Sequence, residues 1–339
     1  MTSLMFAEAA DAARVVAVQR SANAGVVAAL GERLRAAPPT AVLTLARGSS
    51  DHAATVAKYL IETRLGLPVS SGAPSVSSVY GVQPQLGGML CLALSQSGRS
   101  PDLLAAMRAA KAGGAATIAL VNDAASPLAG LVDDVVPLHA GPELSIAATK
   151  SYIATLAALL DLTAAWTGDD ALAAALDAAP ELLELSWGLD WSPLVDGLHL
   201  ARGLYVLGRG PGLGVAQEAA LKFKETCGLH AEAFSVAEVR HGPMALVRPG
   251  FPLLVFRQSD DSEAGTAALV AEVVARGGEV FVTGAGIPGA TTLPALDAHP
   301  AMEPMLRIQS FYRAAEALAR ARGFDPDRPP HLAKVTETV

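Results

Sequence analysis

The stretch Met89-Leu90-Cys91-Leu92-Ala93-Leu94-Ser95-Gln96-Ser97-Gly98-Arg99-Ser100-Pro101 decides the fold. Its apolar run stops at a hydroxyl-rich turn, and a helical pattern, Asp102-Leu103-Leu104-Ala105-Ala106-Met107, follows at once. An apolar run bounded by a turn signal reads as a buried strand. Ser100 stands where a helix is capped, with Pro101 at the first helical position. A turn of this kind gathers hydroxyls and unpaired backbone N–H groups at the positive end of a helix, a setting that favours an anion. Phosphate is the expected anion. Helix capping alone would also account for an isolated pair of serines, so the rest of the chain decides.

The chain has 339 residues, enough for two domains of ordinary size. Hydrophobic residues make up 51% and charged residues 17%, which places it among well-buried globular proteins. A formal net charge of −8 without a basic cluster argues against nucleic acid as a partner. An anionic substrate must then be held by local hydroxyls, amides and helix ends. Cys91 and Cys227 form neither a CxxC pair nor a disulfide framework, as expected for a reducing, cytoplasmic setting. Glu8, Asp11 and Arg14 interrupt the N-terminal stretch, so a signal peptide is not expected there. The uncharged stretch 65–98 is too rich in Gly, Pro and Ser for a membrane helix. A soluble protein with no membrane partner is expected.

Taken in order, residues 3–35 have helical periodicity and Pro38-Pro39 ends it. Ala41–Ala46 reads as a short strand, Arg47-Gly48-Ser49-Ser50-Asp51 as a turn, and Ala53–Arg64 as a helix. Leu67–Ser70, Ala116–Val121 and Val132–Leu138 supply further strands, so strands alternate with helices and the sheet is parallel. Glu143–Trp166 reads as one long helix, and Ala171–Leu189 as another. The stretch 188–197 reads as a linker.

The second half repeats the first. Leu204–Gly210 matches Leu43–Gly48, with 209 − 47 = 162 for the arginines. Leu254–Ser262 matches Leu92–Ser100, with 258 − 96 = 162 for the glutamines. Two matches at one offset imply two copies of one α/β unit. The second copy carries Asp260-Asp261 in place of Gly98-Arg99, and like charge there would repel a phosphate dianion. The phosphate site is therefore expected in the first copy. Ligands bind beyond the carboxyl ends of parallel strands, so Gly48-Ser49-Ser50 and Ser95–Ser100 should open on one edge.

Three more groups draw attention. Glu218, Lys222 and Glu225 are spaced by four and three residues, on one helix face. Such a stripe is ordinarily a solvated run of ion pairs, although a carboxylate there, screened from water, could serve as a general base. His230-Ala231-Glu232 and His241-Gly242-Pro243 follow; a loop histidine titrates near neutrality and can move protons. Neither has zinc-ligand spacing, so no metal is expected. The tail from Asp325 is proline-rich with one lysine, Lys334, and a tail lysine is usually idle.

Assembled, the chain resembles the sugar isomerase (SIS) domain family over nearly its whole length. In particular it is similar to the tandem-SIS isomerase half of glutamine–fructose-6-phosphate aminotransferases. The residues that carry the resemblance are Ser95-Gln96-Ser97-Gly98, Glu143 to Lys150, Ala220 to Glu225, His230-Ala231-Glu232, His241-Gly242-Pro243 and Asp327 to Thr336, in family order. The resemblance implies two tandem SIS domains, each a flavodoxin-like, three-layer αβα unit with a parallel sheet. The domains are expected as a helical lead-in at 1–35, SIS domain 1 at 36–187, the linker, SIS domain 2 at 198–325 and a covering tail at 326–339.

It also implies that Ser50, Ser95, Gln96, Ser97 and Ser100, with Gly48 and Ser49, hold the phosphate and nearby sugar hydroxyls. Glu225 would move a proton between C1 and C2, and His241, reaching the site from the other subunit of a homodimer, would assist ring opening. Lys334 would cover the sugar and engage its carbonyl carbon. Lys222 and Glu218 would lie near the sugar, and Ile146 and Ala148 stand at two ligand-contact positions. Arg99 replaces a usually acidic residue, and Ala148 a serine. With no glutaminase domain before the SIS pair and no cysteine at position 2, glutamine is not expected as the ammonia source. The resemblance then points to a stand-alone glucosamine-6-phosphate deaminase working without metal or organic cofactor. Another amino-sugar or fructosamine phosphate, simple aldose–ketose isomerisation, or a non-catalytic sugar-phosphate sensor are the alternatives.

Overall fold

The computed structural model describes residues 2–334, so Thr336 and the rest of 335–339 lie outside the described residues. The chain folds into two compact units. Among the described residues, one comprises 14–143, 150–177 and 333–334; the other comprises 2–13, 144–149 and 178–332.

The first unit holds β1 (Val42–Leu45), β2 (Val69–Ser71), β3 (Leu90–Ser95), β4 (Ala116–Val121) and β5 (Asp134–Pro137). All pairings are parallel and the order is β2-β1-β3-β4-β5. Every residue of β3 is buried, which is why its sequence is a continuous apolar run rather than an alternation. The helix Pro101–Ala112 lays Leu103, Met107 and Ala110 against Cys91, Ala93, Ala119 and Val121. Each such leucine or methionine contributes on the order of 1.5–3 kcal/mol by leaving water.

The other unit holds β6 (Gly203–Gly208), β7 (His230–Ser235), β8 (Pro252–Phe256), β9 (Glu279–Thr283) and β10 (Thr291–Leu293). Its order is β10-β9-β8-β6-β7, again all parallel, which is the topology of the first sheet. The repeat offset holds in three dimensions: 252 − 90 = 162 for the starts of β8 and β3. The core here packs Leu207, Val255 and Val282 against Leu269 and Val273 of the helix Glu263–Ala275. Two tandem parallel α/β units are thus present, as the sequence implies. No helix among the described residues is long and apolar enough to cross a membrane.

Three elements differ from the sequence reading. The long helix expected from Glu143 begins only at Lys150 and runs to Thr167. Its start is fixed by Glu143, whose carboxylate accepts the backbone N–H of Ser151 at 3.1 Å and its hydroxyl at 2.6 Å. A carboxylate satisfies an orphan donor and the positive end of the first turn, and the intervening residues must leave the helical path to let it do so. The helix expected over Ala171–Leu189 is two, Asp170–Asp177 and Ala179–Trp187, because Pro180 suits a first turn and not an interior. The stretch read as a linker contains the helix Ser192–Leu198.

Candidate functional site

The phosphate-binding candidates lie at the carboxyl edge of the first sheet. Ser49 and Ser50 open the helix Ser49–Leu65 directly after the turn that follows β1, and Ser95–Ser100 join β3 to the next helix. β1 and β3 are hydrogen-bonded neighbours, so the two turns are adjacent. Arg47 ties them: its Nε and Nη2 donate to Asp102 Oδ2 at 2.9 and 2.7 Å.

Inside the β3 turn the Gly98 N–H donates to Ser95 Oγ at 2.9 Å, and the Arg99 N–H to Ser97 Oγ at 3.4 Å. Gln96, Ser97 and Ser100 are half-buried, whereas Ser95 is buried. Ser100 occupies the cap position, but its side chain makes no capping bond; its carbonyl accepts from Leu104 instead. The hydroxyl is not engaged in capping, contrary to the simplest reading of the sequence. Arg99 turns outward to Asp123 Oδ2 at 2.8 Å, and that hydrogen bond holds the Asp123 carboxyl below its usual range. Burial pushes the Asp51 carboxyl up, against the opposing charges of His52 and Arg47.

The same unit contains Lys334, whose Nζ stands 3.5 Å from Glu143 Oε2. Glu143 is buried, and the bonds to Ser151 fix it. The sequence reading places Glu143 in a family motif without a role; its link to Lys334 spans 191 residues and has no local signature.

The other unit carries Glu218, Lys222 and Glu225 on the helix Gly212–Cys227. Here the solvated-stripe reading fails. The Glu218 side chain is 0% and that of Lys222 1% exposed, with Glu225 at 19%. Lys222 Nζ lies 3.3 Å from Glu218 and 2.5 Å from Glu225. Burial alone would lower the Lys222 pKa, but the two carboxylates outweigh it and hold the ammonium above its ordinary value. Tyr312, which sequence reasoning missed, donates its hydroxyl to Glu218 Oε1 at 3.2 Å. Such an array fixes a charged lysine and presents one partly exposed carboxylate, Glu225, as a proton acceptor.

His241 closes the short 3-10 turn Glu238–His241 in this unit and is exposed. Ile146 and Ala148 belong to the irregular segment 144–149 and are half-buried. That segment is anchored by Glu8, whose carboxylate accepts the N–H groups of Leu144 and Ser145. Among the described residues no group of three His, Cys, Asp or Glu side chains is arranged to hold a metal ion. Cys91 and Cys227 are free and buried, their thiols pushed by burial to about 12 and about 11.

The matching turn of the second sheet is engaged by the chain's own side chains. The turn after β8 is occupied by the chain's own carboxylate: Glu303 accepts the Ser259 N–H at 2.9 Å and the Ser259 hydroxyl. Gln258, the counterpart of Gln96, accepts the Gly212 N–H at 2.7 Å. The sequence reading attributes the loss of this site to Asp260-Asp261, but Asp260 binds its own neighbour Ser262 and the carboxylate that takes the turn is Glu303.

These observations meet three comparisons. The SIS domain model matches residues 38–165 and 197–285. A structure described as a candidate phosphosugar isomerase from Silicibacter pomeroyi DSS-3 is 45% identical, with a TM-score of 0.92 over 96% of this chain and 100% of that one. The C-terminal domain of glucosamine-fructose-6-phosphate aminotransferase from Francisella tularensis is 25% identical, with a TM-score of 0.87 over 97% of this chain and 99% of that one. Glutamine–fructose-6-phosphate aminotransferase of Thermus thermophilus is 35% identical over 315 residues, covering 86% of this chain and 51% of its own. The chain thus spans about half the length of the curated relatives it matches. With more than half of the chain matched by the family model, in two segments, this chain belongs to the SIS domain family.

Proposed function

We propose that this chain is an isomerase-type phosphosugar enzyme that converts glucosamine-6-phosphate and water to fructose-6-phosphate and ammonia. The observation that carries the reading is the buried Glu218–Lys222 pair with Glu225 beside it, a partly exposed carboxylate held against a fixed cation. The similarity to phosphosugar isomerases and to the isomerase half of aminotransferases acting on fructose-6-phosphate supports the substrate class.

In this reading Ser50, Ser95, Gln96, Ser97 and Ser100, with the backbone at Gly48 and Ser49, hold the phosphate. Ile146 and Ala148 contact the sugar. His241, contributed by the second subunit of a homodimer, protonates the ring oxygen as the ring opens. Glu225 then takes the proton from C2, which the adjacent aldehyde acidifies, and returns one to C1. The product is a ketimine at C2 and an alcohol at C1. Water adds to the ketimine carbon and ammonia leaves, so one water is consumed per turnover. Glu218 and Lys222 orient Glu225, and Lys334, set by Glu143, stands over the carbonyl end of the sugar. Positioning and one matched carboxylate supply this chemistry, so the reading calls on no metal or organic cofactor. A cytoplasmic setting belongs to the same reading.

The test is to incubate the purified protein with glucosamine-6-phosphate and assay ammonia and fructose-6-phosphate. Equal release of both is expected. Tight binding of the sugar phosphate without turnover would replace the enzyme by a sensor.

A further inference from the structure

Asp102 is a carboxylate with none of its side chain exposed, at the second position of the helix that leaves the Ser95–Ser100 turn. Its Oδ1 accepts the Leu103 N–H at 2.7 Å, and its Oδ2 takes two bonds from Arg47. A fully buried carboxylate is costly unless paired, so the arrangement invites a reason. Half of the Arg47 side chain remains exposed, and two of its three guanidinium nitrogens are held. The third, Nη1, takes no part in the contact with Asp102. A guanidinium locked by a carboxylate on one edge offers a fixed fork to an anion on the other.

A purely structural staple is the competing account, and the internal repeat weighs against it. Arg209 stands at the equivalent place, 209 − 47 = 162, before Gly210 with φ 55°, as Arg47 stands before Gly48 with φ 54°. Yet among the described residues Arg209 bonds the Ser235 hydroxyl, at 3.0 Å, and the counterpart of Asp102, at 102 + 162 = 264, is Ala264. The second sheet keeps its topology without a carboxylate on this arginine; its arginine–carboxylate contact at the corresponding edge joins Arg257 to Glu263 instead. It is also the copy whose turn is filled by its own Glu303. The Arg47–Asp102 contact therefore belongs to the first copy and is not a requirement of the shared topology.

We infer that Arg47 is a further phosphate-binding residue, with Asp102 as the residue that positions it, and that the pair makes the cradle selective for a dianionic phosphoryl group over a neutral sugar. This rests on the phosphosugar reading of the same site. The cradle is otherwise built of hydroxyls and amides in a chain of net charge −8, and Arg47 supplies the cation that such a cradle lacks.

Calorimetric titration with inorganic phosphate, fructose-6-phosphate and fructose tests it on the wild type, Arg47→Gln, Arg47→Lys and Asp102→Asn. Loss of one charge-assisted contact should weaken inorganic phosphate and fructose-6-phosphate by about 10- to 100-fold in Arg47→Gln, with fructose unchanged. Arg47→Lys should recover only part of this, since an ammonium cannot hold Asp102 and an anion with one planar fork. Asp102→Asn should raise KM for the sugar phosphate and leave kcat unchanged. A lowered melting temperature in Arg47→Gln or Arg47→Lys with unaltered phosphate affinity would make Arg47 a staple and overturn the inference. Wild-type protein that binds inorganic phosphate in an Arg47-dependent way but no sugar phosphate would sink the substrate reading and leave this one standing. Wild-type protein that binds neither would overturn both.

Discussion

Lys222 Nζ lies 2.5 Å from Glu225 Oε2 while its other partner, Glu218, is fully buried. The lysine is thus a structural counter-ion as well as a neighbour of the proposed base. Lys222→Met should leave Glu218 as a buried carboxylate without its ammonium counter-ion, at a cost of about 3–5 kcal/mol in unfolding free energy. Urea denaturation at neutral pH measures it. A change below about 1 kcal/mol would mean that water reaches Glu218 and the array is not closed.

Glu225→Gln asks a different question of the same array. One carboxylate, Glu218, still balances Lys222, so the fold should persist while the acceptor for the C2 proton is gone. Ammonia release from glucosamine-6-phosphate should fall by about 10²- to 10⁴-fold with fructose-6-phosphate affinity retained. Unchanged turnover would sink the proposed role of Glu225.

The two sheets were legible because their central strands are buried on both faces and so appear as unbroken apolar runs. The shared offset between Arg47 and Arg209, and between Gln96 and Gln258, marks the second copy in the sequence itself. What sequence could not separate was the status of Glu218, Lys222 and Glu225. A spacing of four and three places charges on one helix face whether that face meets water or the core, and only burial by the rest of the chain decides. Partners distant in sequence were invisible for the same reason: Tyr312 reaches Glu218 across 94 residues and Arg47 reaches Asp102 across 55. Glu143 misled locally, since Ile146-Ala147-Ala148 suit a helix well and the carboxylate that ends their helical path lies outside any propensity.

Gly98 and Gly141 separate backbone strain from crowding at the cradle. Both have φ 64°, which penalises any side chain. A Cβ at Gly141 would meet open space, whereas one at Gly98 would fall 2.3 Å from Ser126 Oγ and 3.0 Å from Val121 Cγ2. Gly141→Ala should cost about 1–2 kcal/mol from strain alone. Gly98→Ala should cost more and shift the N–H that donates to Ser95 Oγ, weakening fructose-6-phosphate binding. Equal destabilisation of the two variants, with unaltered ligand affinity, would show that the turn yields freely.

Asp161 gives a pH dependence whose sign is opposite to that of most carboxylates. Burial raises its pKa to about 6; Arg20, 3.4 Å away, opposes the shift and Asp177 adds to it. The folded chain therefore holds a proton on Asp161 over a window, from about pH 4 to about pH 6, where the unfolded chain has released it. Stability from this group is full below that window and is lost as pH rises through the folded pKa. The loss amounts to about 3 kcal/mol at most, since one pKa unit corresponds to roughly 1.4 kcal/mol. Asp161→Asn has no proton to lose, and Arg20 keeps Asp177 at 3.1 Å. Wild-type minus variant unfolding free energy, from urea titrations at about pH 4 and about pH 7, should fall by up to about 3 kcal/mol as pH rises. A flat or rising difference would place Asp161 in contact with solvent and show that its pairing with Arg20, not its burial, governs the titration.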